Sequence, residues 1–224
     1  MSLTRSKSKS MINKLISKKL VTQGFCKRKD SLGAYRVRGD FLDVIYVQIG
    51  RSPGSLYLHY FTNMLSDRFK SNLLNTRTIG ARLEGNEEGG ESWVSDDENG
   101  LESILQSIWG EITAKALPFF DGLSNMAEYS VLLDESIAKS SVSYPFSVML
   151  ARCLDGKYDE AQLLMSQIKE KILVDDRYDF KSDDDDVLLM KNLLLLESAI
   201  ADSSTNKLLA EWKLENIGAY GIKI

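Results

Sequence analysis

Hydrophobic positions along the first third of the chain change from a helical to a strand period. Apolar residues recur at helical spacing from Met11 to Leu20, and Gly24 provides a natural end for that helix. The spacing then becomes that of strands bounded by turn residues. Strands are predicted at residues 25–29, 34–38, 41–49, 56–64 and 76–83.

The remaining two thirds of the chain have a helical period. Helices are predicted at residues 101–117, 126–139, 146–154, 158–172, 187–201 and 206–216. The sequence around Gly156 resembles the turn between the two helices of a tetratricopeptide repeat, so a helical hairpin is predicted there. No 34-residue period surrounds it, and an array of repeats is therefore not predicted.

These patterns together predict an α+β fold. An antiparallel sheet of about five strands with an N-terminal helix is followed by an all-helical C-terminal region. The predicted organisation is a disordered basic tail at residues 1–10, an α+β domain at 11–139, and a helical region at 140–224 packed on it.

The turn at residues 50–54 sets which side chains share a face of the predicted sheet. If this five-residue loop closes a simple hairpin, Ile49 lies opposite Ser55, and Asp43, Tyr57 and His59 share one face. His59 is the single histidine of the chain, and Asp43 could orient its imidazole. A pocket on the face of Asp43, Tyr57 and His59 is therefore an alternative candidate site. The other interpretation is that His59 is a half-buried residue with a purely structural role.

Three sequences that resemble catalytic or ligand-binding motifs lack an essential group. Residues 50–54 match the nucleophile elbow of serine hydrolases, but Pro53 has no backbone N–H for an oxyanion. Residues 85–92 have the glycine spacing of a phosphate-binding loop, but Glu91 replaces its lysine. The aspartate run at residues 183–186 lacks the ligand spacing of a calcium loop. We therefore predict no enzymatic activity, no metal site and no cofactor.

The net charge of −4 conceals two large opposite charges. Residues 1–82 carry a balance of +12, and residues 83–224 carry −16. A dense acidic surface accelerates association with a basic partner. We therefore expect a basic protein partner, bound by the glycine-rich acidic loop that follows residue 83. The candidate partner-binding residues are Glu84, Glu87, Glu88, Glu91, Trp93, Asp96, Asp97 and Glu98.

The basic N-terminal region suggests a different partner. Residues 5–29 contain nine lysines and arginines and no acid, which is enough charge to contact nucleic acid or an anionic membrane. Phe25 is the single aromatic residue among them, so this run lacks the interleaved rings that stack bases. A solvated helix face is expected instead, and nucleic acid is not the expected partner.

Compartment signals in the sequence are consistent with the cytoplasm. Cys26 and Cys153 match no metal or redox spacing, which suits a reducing environment. The N-terminus has no apolar segment typical of a secretory signal. The most apolar run, at residues 187–196, is half as long as a membrane span requires.

The order of several short motifs resembles that of a bacterial α+β domain family of unknown function. The matching residues are 24–28 (Gly-Phe-Cys-Lys-Arg), 44–48, 56–61, 80–83 and Trp93, within a resemblance that covers about residues 11–135. The resemblance implies a helix followed by an antiparallel strand meander, and it implies no catalytic residues. Some small acidic proteins of such families look like immunity partners of bacterial toxins.

The sequence predicts a non-enzymatic protein-interaction module. An immunity-type protein that neutralises a basic bacterial toxin is an example of such a module. The sequence is consistent with two alternative functions. One is an enzyme that uses the face of Asp43, Tyr57 and His59. The other is a nucleic-acid or membrane adaptor that uses the basic N-terminal region.

Overall fold

The computed structural model describes residues 3–28, 32–69, 73–74, 79–83, 85, 92–139, 145–174 and 184–223. The chain forms two compact units. Unit one comprises Met1–Asn63, Ile79–Gly122 and Lys223–Ile224, and unit two comprises Met64–Thr78 and Leu123–Ile222. The domain boundary proposed at residues 139–140 therefore lies inside unit two.

The predicted α+β class is confirmed. Unit one contains helices α1 (Arg5–Ile12), α2 (Lys18–Thr22), α3 (Glu98–Glu111) and α4 (Leu117–Gly122), with π-helical segments at Asn13–Ser17 and Ile112–Ala116. The strands are β1 (Cys26–Lys27), β2 (Gly33–Arg38), β3 (Phe41–Ile49), β4 (Ser55–Met64), β5 (Ile79–Arg82) and β6 (Trp93–Val94). The short strand β6 lies within the segment that was predicted to be an acidic loop.

The strands form an antiparallel sheet in the order β1-β2-β3-β4-β5, and β6 pairs with β4. One face of this sheet belongs to the core of unit one. Ile45, Val47 and Ile49 from β3 are buried there with Leu56 and Leu58 from β4. The same core contains Ile12, Ile16, Leu20, Leu101, Leu105, Ile108, Ile112 and Phe120 from the helical segments. Burial of these side chains provides the main driving force for packing the helices on the sheet.

The hairpin register differs by one residue from the one that the sequence predicted. The backbone N–H of Gly50 donates to the carbonyl of Ser55 at 2.7 Å, so Gly50 rather than Ile49 lies opposite Ser55. The side chains agree with this register. Thr62 donates to Asp43 at 2.9 Å, and the rings of Tyr46 and His59 lie 5.8 Å apart. A shift of one residue moves every side chain of a strand to the opposite face relative to its partner.

The first helix begins at Arg5, although residues 1–10 were predicted to be a disordered tail. Thr4 caps this helix, because its hydroxyl accepts a hydrogen bond from the backbone N–H of Lys7 at 3.3 Å. Ser8 is fully buried and donates to the carbonyl of Pro53 at 2.7 Å. The bond from Ser8 to Pro53 spans 45 residues and has no signal in the local sequence, and it attaches to the hairpin a segment whose composition alone suggests a solvated chain.

Most of the described residues of unit two are helical. The unit contains α5 (Met126–Lys139), α6 (Pro145–Leu154), α7 (Tyr158–Val174), α8 (Asp184–Ala201) and α9 (Thr205–Ala219). The predicted helical hairpin is confirmed by α6 and α7, with Gly156 between them at a φ of 74°. No helix among the described residues of the chain is long and apolar enough to cross a membrane.

Candidate functional site

Helix α1 is attached to the end of the β3–β4 hairpin. The Arg5 guanidinium donates to the carbonyls of Ile49 and Gly50, each at 3.0 Å. Ser8, one turn further along the helix, bonds to the carbonyl of Pro53. These contacts hold the basic first turn of α1 beside the strand end. Cationic side chains that are far apart in the sequence therefore lie near the same end of the hairpin.

Two cavities share this strand end. One has a volume of about 690 Å³ and the other about 520 Å³. The larger cavity is lined by Arg5, Lys9, Asn13, Lys27, Leu32, Tyr46, Val47, Gln48 and Ile49. The smaller cavity is lined by Arg5, Gln48, Ile49, Gly50, Arg51, Tyr57 and Arg82. Because Arg5, Gln48 and Ile49 line both, the cavities adjoin, and we call them together the basic groove.

The charged side chains among the described lining residues of the basic groove are all positive. Its cationic residues are Arg5, Lys9, Lys27, Arg51 and Arg82, and all five are exposed. Among the lining residues that the structure describes, none carries a carboxylate. A cleft lined by charges of one sign focuses its field and attracts oppositely charged ligands. This groove is therefore built to attract an anion.

Aromatic side chains border the basic groove on the sheet face opposite the core of unit one. The rings of Tyr46 and His59 are tilted by 33° to each other, and the guanidinium carbon of Arg82 lies 5.2 Å from the centre of the Tyr57 ring. The three aromatic residues are half-buried. In the observed register Gln48 lies opposite Tyr57. We call Tyr46, Gln48, Tyr57, His59 and Arg82 the aromatic face.

Arg28 adds a further positive charge near the aromatic face. Partial burial lowers the pKa of its guanidinium, while the electrostatic interaction with Tyr46 acts in the opposite direction. Arginine retains its proton at neutral pH in proteins, so the charge persists.

The structure does not bring Asp43 together with His59. Asp43 projects toward Thr62 on the core face of the sheet, whereas His59 lies beside Tyr46 on the opposite face. Asp43 is fully buried and accepts hydrogen bonds from the guanidinium groups of Arg36 and Arg38, the shortest at 2.6 Å. Tyr57 and His59 do share a face, but Asp43 does not lie on it. The one-residue error in register accounts for this difference.

The predicted acidic interface is described in part. Glu84, Glu87, Glu88 and Glu91 lie outside the described residues. Trp93 is buried in the core of unit one, Asp97 caps α3, and Glu98 forms an ion pair with Lys7 at 3.0 Å. Asp96 is exposed. Three of the four described residues therefore have a role within unit one.

Replacing Asp97 with alanine tests the capping role. Its carboxylate accepts a hydrogen bond from the backbone N–H of Gly100 at 2.8 Å. Loss of such a cap typically lowers the free energy of unfolding by about 1 kcal/mol. Urea unfolding of Asp97→Ala should show this decrease, whereas Asp96→Ala, one residue away and also exposed, should be close to the wild type. Equal effects of the two substitutions would contradict the assignment.

Metal-ligating residue types are not grouped in the described part of the chain. There, no three histidine, cysteine or acidic side chains are arranged to hold a metal ion. Burial raises the pKa of the Cys153 thiol to about 12, so this thiol is not a nucleophile at neutral pH.

Comparison of this chain with family models, curated proteins and solved structures finds no match. Membership of the bacterial family suggested by the short motifs therefore stays a prediction.

Proposed function

We propose that unit one binds nucleic acid through the basic groove. The observation that carries this proposal is the convergence of five exposed cations, with no carboxylate among the described lining residues. Lysine and arginine contacts to phosphates supply most of the affinity of sequence-independent nucleic-acid binding. The proposal is the adaptor alternative of the sequence analysis, with the binding surface extended beyond the N-terminal region.

The arrangement of the cations favours a polyanion over a single small anion. Lys9 and Lys27 line one cavity, Arg51 and Arg82 line the other, and Arg5 lines both. The cations come from α1, β1, the β3–β4 turn and β5, and they are distributed over two adjoining cavities. A phosphate backbone presents repeated negative charges, so neighbouring phosphates can contact cations of both cavities.

The aromatic residues distinguish this surface from a simple basic patch. Tyr46 lines the larger cavity and Tyr57 the smaller one. Cationic grooves bordered by aromatic rings are the usual construction of sites for single-stranded nucleic acid. The N-terminal run alone lacked such rings. They come from β3 and β4, which the fold places beside α1.

A protein-binding role for the acidic loop, including a toxin-neutralising one, stays a second prediction. Half of its candidate residues lie outside the described part of the chain. The groove is preferred because its cations share described cavities, whereas Trp93, Asp97 and Glu98 are engaged in contacts within unit one.

Removing two charges from the groove tests the proposed function. The variant Lys9→Gln/Arg51→Gln removes one cation from each cavity. Its affinity for a fluorescently labelled 12-nucleotide single strand should fall about 10- to 100-fold at low salt, measured by anisotropy. The slope of log K against log salt should decrease in magnitude by roughly 1 to 1.5, because two phosphate contacts are lost.

The matched control is Lys14→Gln/Lys18→Gln. It removes the same number of exposed charges, but neither residue lines either cavity of the basic groove. This control should retain most of the affinity. A loss equal to that of the groove variant would overturn the proposal, as would binding to anionic vesicles with none to oligonucleotides. A mononucleotide bound as tightly as the 12-mer would also overturn it.

A further inference from the structure

On strands β3 and β4, the aromatic face is the accessible end of an otherwise buried row of side chains. Along β3, Val44 is buried, Tyr46 is half-buried and Gln48 is exposed. Along β4 in the opposite direction, Phe61 is buried, whereas His59 and Tyr57 are half-buried. Along these two strands, the accessible residues of this face thus lie at the end that borders the basic groove.

The spacing within the aromatic face suits flat ligands. Side chains two positions apart on a strand point the same way and lie roughly 6.6 Å apart along it, as Tyr57 and His59 do. Gly33 lies opposite Tyr46 in the neighbouring strand, so no cross-strand side chain covers the Tyr46 ring from that position. Tyr46 and Tyr57 are on different strands and each borders one cavity of the groove.

The polar groups of the aromatic face complement those of a base and its phosphate. Arg82 is paired with His59 across β4 and β5, and its guanidinium lies over the Tyr57 ring. Guanidinium planes and aromatic rings both stack on bases. The amide of Gln48 can donate to and accept from a base edge. Gln48 lines both cavities and is therefore within the path proposed for the backbone.

We infer that unpaired bases stack on Tyr46 and Tyr57 while their phosphates occupy the basic groove, so that the site selects single strands over duplexes. This inference rests on the proposed function. In a duplex the base faces are covered by neighbouring base pairs, and the tyrosines have nothing to stack on. A duplex would keep the phosphate contacts and lose the contacts to the aromatic face.

The test replaces both rings and compares two forms of nucleic acid. Tyr46→Leu/Tyr57→Leu should lower the affinity for the labelled 12-nucleotide single strand about 10- to 100-fold, since stacking on a single aromatic ring contributes about 5- to 100-fold. The salt dependence should stay close to that of the wild type, because no cation is removed. The corresponding 12-base-pair duplex should bind the wild type more weakly than the single strand does, and the leucine variant should bind this duplex with wild-type affinity.

Conservative and remote variants control for damage to the fold. Tyr46→Phe/Tyr57→Phe keeps the rings and should keep the single-strand affinity. Tyr158→Leu removes a half-buried tyrosine from unit two and should have no effect on it. Equal affinities of the leucine and phenylalanine variants for the single strand would overturn the inference, as would wild-type preference for the duplex. If the tyrosines have no effect but Lys9→Gln/Arg51→Gln weakens binding, the inference fails while the proposed function stands.

Discussion

Replacing Asp43 with alanine is expected to lower the free energy of unfolding by about 3 kcal/mol. Asp43 is fully buried, and its carboxylate is held by Arg36, Arg38 and Thr62. The substitution leaves two guanidinium groups without this counter-charge and a buried hydroxyl without its acceptor. Removing one partner of a buried ion pair is far more destabilising than the net contribution of the pair. Urea unfolding followed by circular dichroism measures the effect.

The exposed acid on the same arginine provides the control. Asp121 forms an ion pair with Arg36 at 2.9 Å, but its side chain is 64% exposed. Asp121→Ala should therefore cost less than about 1 kcal/mol, as exposed ion pairs usually do. Asp43→Asn retains an acceptor for Thr62 and should lie between the two alanine variants. Equal, small effects of Asp43→Ala and Asp121→Ala would show that the buried cluster does not stabilise unit one.

The arginines of β2 show why charge counting alone did not locate the proposed binding surface. Arg36 and Arg38 belong to the positive first part of the chain, yet they neutralise a buried carboxylate and pack over Phe25 and Phe41. Arg51 and Arg82 are exposed in the groove instead. The sequence distinguishes these roles poorly, because the role depends on which strand position faces the core.

Helices and turns that are determined by residues close together in the sequence could be predicted. The helical period of the C-terminal region and the glycine between α6 and α7 depend on neighbours a few residues away. The strand register depends on the pairing of Gly50 with Ser55, which shortens the loop between paired residues from five to four. The local sequence does not show whether the loop has an odd or an even number of residues, and this determines which side chains share a face. The one-residue change in register alone separated Asp43 from His59.

The candidate site was harder to predict than the fold because its residues are distributed along the chain. Lys9, Lys27, Arg51 and Arg82 belong to four elements, and the long-range bonds of α1 to the hairpin bring the first of these to the others. One signal was present in the sequence. Polar or aromatic residues alternate with aliphatic ones along two neighbouring strands. They are Tyr46 and Gln48 on β3 and Tyr57 and His59 on β4. In the correct register these four side chains share one face.

Replacing Gly80 with alanine is expected to lower the free energy of unfolding by on the order of 3 kcal/mol. Gly80 lies in β5 opposite Phe61, with a φ of 149° that side chains rarely allow. An added Cβ would lie 2.1 Å from the carbonyl oxygen of Tyr60 and 2.5 Å from the Cα of Phe61. Both are backbone atoms of β4 and cannot turn aside as the end of a side chain does. Strand β5 would have to separate from its partner.

Gly110→Ala supplies the matched control for this substitution. Gly110 is exposed within α3, and a Cβ added there meets no atom within 4 Å. Since alanine favours a helix over glycine, this variant should raise the free energy of unfolding by about 0.5–1 kcal/mol. The two glycine-to-alanine changes should thus shift the urea midpoint in opposite directions. Because Arg82 lies two residues beyond Gly80 in β5, Gly80→Ala should also weaken single-strand binding. If Gly80→Ala had the stability of the wild type, β5 would not approach β4 this closely.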